Sequence, residues 1–197
     1  MIQPELKSNV TCSTFDSTRF TIETNASMFS LLTSKVYNDP IAAVIREWST
    51  NAIDACIAAN KSIDFEVHIP TTTECYFSVR DYGTGLEADQ LTTLFCTLGA
   101  STKRNSNKYN GTFGIGRLSG LAYTSSFTIE SYHGGYHHSY VISMQDGIPT
   151  AIDLGTFPST EPSGVRLTVT VNPNDIEKFE TTCSSIYSYF SAKPTTT

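Results

Sequence analysis

The fold of this chain is decided by the stretch Arg46-Glu47-Trp48-Ser49-Thr50-Asn51-Ala52-Ile53-Asp54-Ala55. Asp39 and Pro40 precede it and predict a helix start, because aspartate is a good N-cap and proline fits the first helical position. Apolar residues then recur at helical spacing and predict a helix over about 40–59. These residues are Ile41, Val44, Ile45, Trp48, Ala52, Ala55, Cys56 and Ala59.

Three polar residues of this helix fall on one stripe. Glu47, Asn51 and Asp54 are spaced four and three positions apart, so they stack on the same side of the helix. A buried stripe of two acids and an amide loses stability unless a ligand, an ion or a partner chain meets it. The alternative is a face in contact with solvent, and the spacing alone does not decide between the two.

A second element ends at Asp81. The alternating patterns of residues 63–69 and 75–79 predict a pair of strands, and Asp81 is followed by Gly83 and Gly85. Glycines allow the backbone to approach a flat ligand, and a carboxylate accepts a hydrogen bond from an exocyclic amine such as that of adenine. Guanine presents a carbonyl there, so the same group favours adenine. A plain turn with an Asx hydrogen bond is the alternative.

A third element is the glycine-rich loop of residues 111–116, which leads into a predicted helix over 114–123. Backbone N–H groups at a helix start can hold a polyphosphate. The loop lacks the Gly-Lys-Ser/Thr ending of a P-loop, and it does not directly follow a strand as the dinucleotide-binding fingerprint does. Its position after the other two elements is more specific than the loop itself.

The remaining patterns predict the fold class. A strand is predicted at 19–23, helices at 27–37, 87–95 and 174–191, and strands near 125–133, 136–145, 150–154 and 164–172. This order predicts an α+β sandwich, with helices packed on one face of a mixed, mostly antiparallel sheet. We expect a loose segment at 1–17, one domain over 18–191 and a frayed tail at 192–197. The end of the pattern after one helix favours a module of a longer protein.

Composition narrows the class of function. The chain has 197 residues, a net charge of -6 and a pI near 5.1, so no basic surface for nucleic acid is expected. Its five cysteines are scattered without a C-x-x-C pair, which argues against disulfides and a zinc site. No signal peptide or bilayer-spanning apolar stretch is visible. These features predict a soluble protein of the reducing cytoplasm.

In their order, the three elements resemble the motifs of the GHKL ATPases, the class of DNA gyrase B, Hsp90, histidine kinases and MutL. Residues 46–55 are similar to the N-box of that class, closest to its Hsp90 form, while residues 81–86 and 111–116 are similar to the next two boxes. The resemblance implies a Bergerat-type sandwich, bound ATP and Mg, and a lid over about residues 86–113.

The resemblance also implies residue roles. Glu47 would be the general base that activates water, and Asn51 would bind the Mg ion. Other residues implied in ATP binding are Asp54, Ala55, Asp81, Gly83, Gly85 and Leu86 around the base, Ser101, Thr102 and Lys103 in the lid, and Gly111, Phe113, Gly114, Ile115 and Gly116 at the phosphates.

One position departs from the family pattern. Many members carry Gly-Thr on the late strand, where the threonine assists adenine recognition, but this chain has Ser163-Gly164-Val165. Thr168 would replace the threonine only if the strand register turns it to the same side. Adenine selectivity would therefore depend more heavily on Asp81.

The flanks resemble a narrower group. Residues 27–54 and 127–134 look like the amino-terminal region of phage rIIA-type proteins, which are longer chains. This resemblance implies a slow, Mg-dependent ATPase acting as a conformational switch in the host bacterial cytoplasm, with an unidentified protein partner and ATP-dependent homodimerisation. The alternatives are a nucleotide-gated interaction module with little hydrolysis, and a serine kinase of the anti-sigma type.

Overall fold

The computed structural model describes residues 17–19, 37–96, 116–145 and 148–197. Its first long helix, α1 (Pro40–Ala58), begins where the sequence predicts. The Asp39 carboxylate accepts hydrogen bonds from the N–H groups of Ile41 and Ala42 at 3.1 and 3.2 Å. An aspartate N-cap of this kind satisfies helix donors that have no partner within the helix.

Eight strands form one sheet in the order β1-β6-β5-β4-β7-β3-β2-β8. The strands are β1 (Ser17–Arg19), β2 (Phe65–His68), β3 (Tyr76–Asp81), β4 (Ser126–His133), β5 (Tyr136–Gln145), β6 (Ile148–Pro158), β7 (Gly164–Thr170) and β8 (Thr195–Thr196). Every described pair is antiparallel except β2 with β8, which is parallel. This mixed, mostly antiparallel sheet with packed helices confirms the predicted α+β class.

The helices cover one face of the sheet. Besides α1 they are α2 (Ala88–Cys96), α3 (Gly120–Tyr123) and α4 (Ile176–Ser188), with 3-10 helices at Gly116–Leu118 and Pro173–Asp175. Trp48 of α1 lies between Phe77 and Phe127 of the sheet, with ring centroids at 6.3 and 5.4 Å, and Phe179 of α4 packs on Phe77 at 5.4 Å. These buried aromatic rings fix α1 on the sheet. None of the described helices is long and apolar enough to span a membrane.

The structure differs from the sequence prediction in two places. The helix predicted over 114–123 is, in its described part, a 3-10 turn followed by the four-residue α3. Its Gly120 packs so closely that a Cβ there would lie 2.7 Å from Phe127 and 2.8 Å from Trp48. The tail predicted to fray instead forms β8, where the Thr197 N–H donates to the Val67 carbonyl at 3.0 Å. Pairing satisfies backbone groups that the edge of β2 would otherwise leave open.

Two other predictions concern the N-terminal part of the chain. The strand predicted at 19–23 overlaps β1 at Arg19, and β1 pairs with β6. Residues 20–23 and the helix predicted at 27–37, up to residue 36, lie outside the described residues.

Candidate functional site

The polar stripe of α1 is turned towards the protein. Asp54 is fully buried, Asn51 and Ala55 are partly buried, and the Glu47 side chain is 27% exposed. A solvent-covered face would expose these residues far more, so the site interpretation is favoured over the solvated face. Gly83 of the second motif contacts Ala55 beside this stripe, and Gly116, the one described residue of the third motif, contacts Glu47.

Asp81 ends β3 as a buried carboxylate. It accepts the Gly83 N–H at 2.8 Å and a backbone hydrogen bond from Val165. Burial raises the pKa of Asp81 from 3.8 to about 6, although these two hydrogen bonds and the cations Arg80 and Lys61 act in the opposite direction. A buried carboxylate with a raised pKa is a common feature of functional sites.

Glycines let the backbone close around Asp81. A Cβ on Gly83 would lie 3.1 Å from the Ala55 Cβ, so the loop lies directly on α1. Gly164 has a φ of 147°, and a Cβ there would lie 2.0 Å from the Asp81 carbonyl oxygen. A side chain at position 164 would displace β7 from Asp81, so only glycine fits there, whereas a Cβ at position 83 would require a small shift of the loop against α1.

The segment that follows Asp81 is attached to the end of β4. Gly85 has a φ of 69° and lies so close to the Tyr132 carbonyl that a Cβ would be 2.1 Å from its oxygen. The Ser131 hydroxyl accepts the Leu86 N–H at 2.7 Å and donates to the Leu86 carbonyl at 2.8 Å. Nδ1 of His133 lies 2.8 Å from the Thr84 carbonyl oxygen. Ser131 belongs to none of the three sequence motifs. The alternation of Phe127, Ile129 and Ser131 along the strand nevertheless predicts that Ser131 faces inward as the two apolar residues do.

Gly116 of the third motif meets Glu47. A Cβ on Gly116 would lie 2.3 Å from Glu47 Oε2, so the two residues are in close contact. The other carboxylate oxygen, Oε1, lies 3.3 Å from Nη2 of Arg46. Glu47 is therefore held between an exposed cation and the beginning of the 3-10 helix.

These contacts give the site a long axis. Ala55 meets Gly83 at one end of the stripe, and Glu47 meets Gly116 at the other. The two α1 residues are eight positions apart, about 12 Å along a helix axis.

The structure does not place every predicted residue in this site. Ser101, Thr102, Lys103, Gly111, Phe113, Gly114 and Ile115 lie outside the described residues. Thr168 pairs with Ser78, which alternates with Val79 and Asp81 along β3. Cross-strand partners share a face, so Thr168 lies on the face opposite to Asp81 and is not part of the site. The described residues contain no cluster of three or more His, Cys, Asp or Glu side chains that would hold a metal by themselves.

The described α+β fold brings Gly83, two residues after Asp81, and Gly116 into contact with α1. The profile of the histidine kinase-, DNA gyrase B- and HSP90-like ATPases matches residues 39–157, which is more than half of the chain. The chain belongs to this ATPase family. A search of curated proteins gives no match.

Proposed function

We propose that this chain binds Mg·ATP along α1, hydrolyses it slowly and acts as a nucleotide-driven conformational switch. The observation that carries the proposal is that residues of two separate motifs contact one helix, with Gly83 at Ala55 and Gly116 at Glu47. The buried Asp81 carboxylate at one end supplies an acceptor for the adenine amine. The start of the 3-10 helix at the other end supplies N–H groups on the phosphate side.

The donor set of α1 fits a magnesium ion that is shared with phosphates. Mg²⁺ usually takes one or two protein oxygens and completes its shell with phosphate and water, so a protein cage of several carboxylates is not needed. The Asn51 side-chain oxygen, one turn from Glu47, is the proposed protein ligand. The bound ion would neutralise charge on the transferred phosphoryl group.

Glu47 is the proposed general base. Its carboxylate lies beside Gly116 and 3.3 Å from the Arg46 guanidinium, and it is partly exposed to water. Asn51 and Glu47 stand four residues apart on one face, so a base and a phosphate-bound ion would be neighbours. A water molecule held by Glu47 would be oriented towards the terminal phosphate.

Binding is tested by calorimetry with Mg·ATP and Mg·GTP on wild type, Asp81→Asn and the control Asp64→Asn. We expect wild type to prefer ATP. Asp81→Asn should lose about 1.5 to 3 kcal/mol of ATP affinity, the value of a hydrogen bond to a charged group. The exposed Asp64 control should bind as wild type does. No binding of ATP by wild type would disprove the proposal.

Hydrolysis is tested by ADP formation in wild type, Glu47→Ala and the control Glu180→Ala. Glu180 is an exposed residue of α4, remote in sequence from the motifs. Removal of a general base typically costs 10²- to 10⁴-fold in rate. Turnover that is the same in Glu47→Ala and in the control would refute the assigned role.

A nucleotide-gated interaction module is the second candidate. The ion pair between Glu47 Oε1 and Arg46 Nη2 favours it, because the guanidinium occupies one of the two carboxylate oxygens that would hold the attacking water. In this case ATP binds tightly without turnover, and a group from a following domain restores hydrolysis. Arg46→Ala separates the two candidates. Turnover should rise in this variant if the ion pair restrains Glu47, as in the second candidate, and it should stay unchanged if Glu47 already acts as the base.

We also propose that the chain is the ATP-binding module of a longer phage rIIA-like protein, which works in the host bacterial cytoplasm with a protein partner and dimerises when ATP is bound. The resemblance of residues 27–54 and 127–134 to that group is the basis of this part of the proposal. Light scattering with a non-hydrolysable ATP analogue should show the dimer. Antibodies should detect the chain in the cytoplasmic fraction of infected cells; detection in uninfected host cells would contradict the phage assignment.

A further inference from the structure

Lys61 reaches the site from the end of α1. The helix ends with Asn60 in the left-handed region at a φ of 53°, and the Lys61 N–H bonds back to the Cys56 carbonyl at 3.0 Å. This is the hydrogen-bonding pattern of a Schellman ending, and asparagine tolerates the left-handed conformation. The turn directs Lys61 across to the loop after β3.

The Lys61 ammonium holds two consecutive carbonyl groups of that loop. Nζ donates to the Tyr82 carbonyl at 2.8 Å and to the Gly83 carbonyl at 2.9 Å. Gly83 lies on Ala55 and donates its N–H to Asp81, so the cation adds a third attachment to a loop that already contacts α1 and Asp81. The Lys61 charge also favours the ionised form of Asp81, against the effect of burial on its pKa.

Ser131 holds the other end of the same segment. Its side chain is fully buried, and its one hydroxyl replaces a strand partner for both backbone groups of Leu86. Without that hydroxyl, one donor and one acceptor of Leu86 would lack their hydrogen-bond partner. Each unpaired group would disfavour the attached conformation of the segment by roughly 5- to 150-fold. The segment between the two attachment points is only five residues long, from Tyr82 to Leu86.

We propose that Lys61 and Ser131 are positioning residues that hold residues 82–86 in the shape of the adenine side of the site. Both act through backbone groups of the segment, so they set base recognition without contacting the phosphates. The inference rests on the proposed ATP-binding function.

The test measures competition of ATP and GTP for the site in wild type, Lys61→Met, Lys61→Arg and Ser131→Ala. Methionine keeps the apolar stem of lysine and removes both hydrogen bonds, whereas arginine restores two donors. We expect the ATP-to-GTP affinity ratio to fall about tenfold in Lys61→Met and Ser131→Ala, and to recover in Lys61→Arg. A purely structural role would weaken both nucleotides equally and leave the ratio unchanged, which would overturn the proposal.

Amide hydrogen exchange without nucleotide provides a second measurement. Exchange at residues 82–86 should speed up in Lys61→Met and Ser131→Ala, while the amides in the middle of α1 keep their protection. Unchanged exchange in the segment overturns the positioning role, even where wild type binds ATP normally. Failure of wild type to bind ATP overturns the proposed function itself, and the positioning of adenine with it.

Discussion

Replacing Asp81 by asparagine should change how the stability of the protein depends on pH. In the folded chain the pKa of Asp81 is about 6, against 3.8 for an exposed aspartate, because burial disfavours the charge. Between these two values the folded state binds a proton that the unfolded state does not. Stability from this group is therefore fully present below about pH 4 and is lost as the pH rises through 6. The full difference is about 3 kcal/mol, and most of it develops between pH 4 and pH 7.

Urea unfolding without nucleotide at pH 4, 5, 6 and 7 measures this effect. The Asp81→Asn variant does not titrate, so its free energy of unfolding should rise relative to wild type by more than about 2 kcal/mol across this range. Asp39 has a lowered pKa and the opposite dependence, but it is present in both chains and cancels. The exposed Asp64→Asn variant is the control. A difference between Asp81→Asn and wild type that stays within about 0.5 kcal/mol, as for surface substitutions, would refute the reasoning.

Three further predictions concern the site and its support. ATP affinity should weaken as the pH falls below about 6, because protonated Asp81 no longer offers the charged acceptor, and calorimetry of Asp81→Asn should show no such step. Gly116→Ala should slow ATP turnover more than it weakens ATP binding, because the new Cβ would lie 2.3 Å from Glu47 Oε2; equal effects in kinetic and binding assays would contradict this. Trp48→Ala should lower the free energy of unfolding by about 3 to 5 kcal/mol in urea titrations, since Trp48 is only 1% exposed, and a smaller loss would mean that the neighbouring rings close the gap.

Much of the fold could be predicted because its signals are local. The Asp39-Pro40 start and the helical spacing of apolar residues are properties of neighbouring positions, and the structure places α1 there. The strand pair before Asp81 alternates in the same readable way and appears as β2 and β3. The family match agrees with the prediction made from the order of the three motifs. No single motif is specific enough to identify the family.

The remaining features depend on contacts between distant parts of the chain. Whether Thr168 faces Asp81 is decided by the register of β7 on β3, and a shift of one residue reverses the face. Lys61 follows a predicted helix like any surface lysine, and only the folded loop shows its two carbonyl partners. The two threonines of β8 carry no apolar pattern, so their pairing with β2 has no signal in the sequence.

The position of β7 in the sheet has a consequence for how the protein is made. β7 lies between β4 and β3, so it joins the meander β4-β5-β6 to the hairpin β2-β3, yet it is synthesised after both. A nascent chain that has not yet released residues 164–170 from the ribosome holds Asp81 and Ser131 on two groups of strands that are not paired with each other, each with an open strand edge. Nucleotide that binds only the assembled site cannot stabilise these pieces, and its stabilisation begins when the late strand is inserted. ATP in the cell would thus select completed chains and leave stalled or truncated ones to chaperones and proteases.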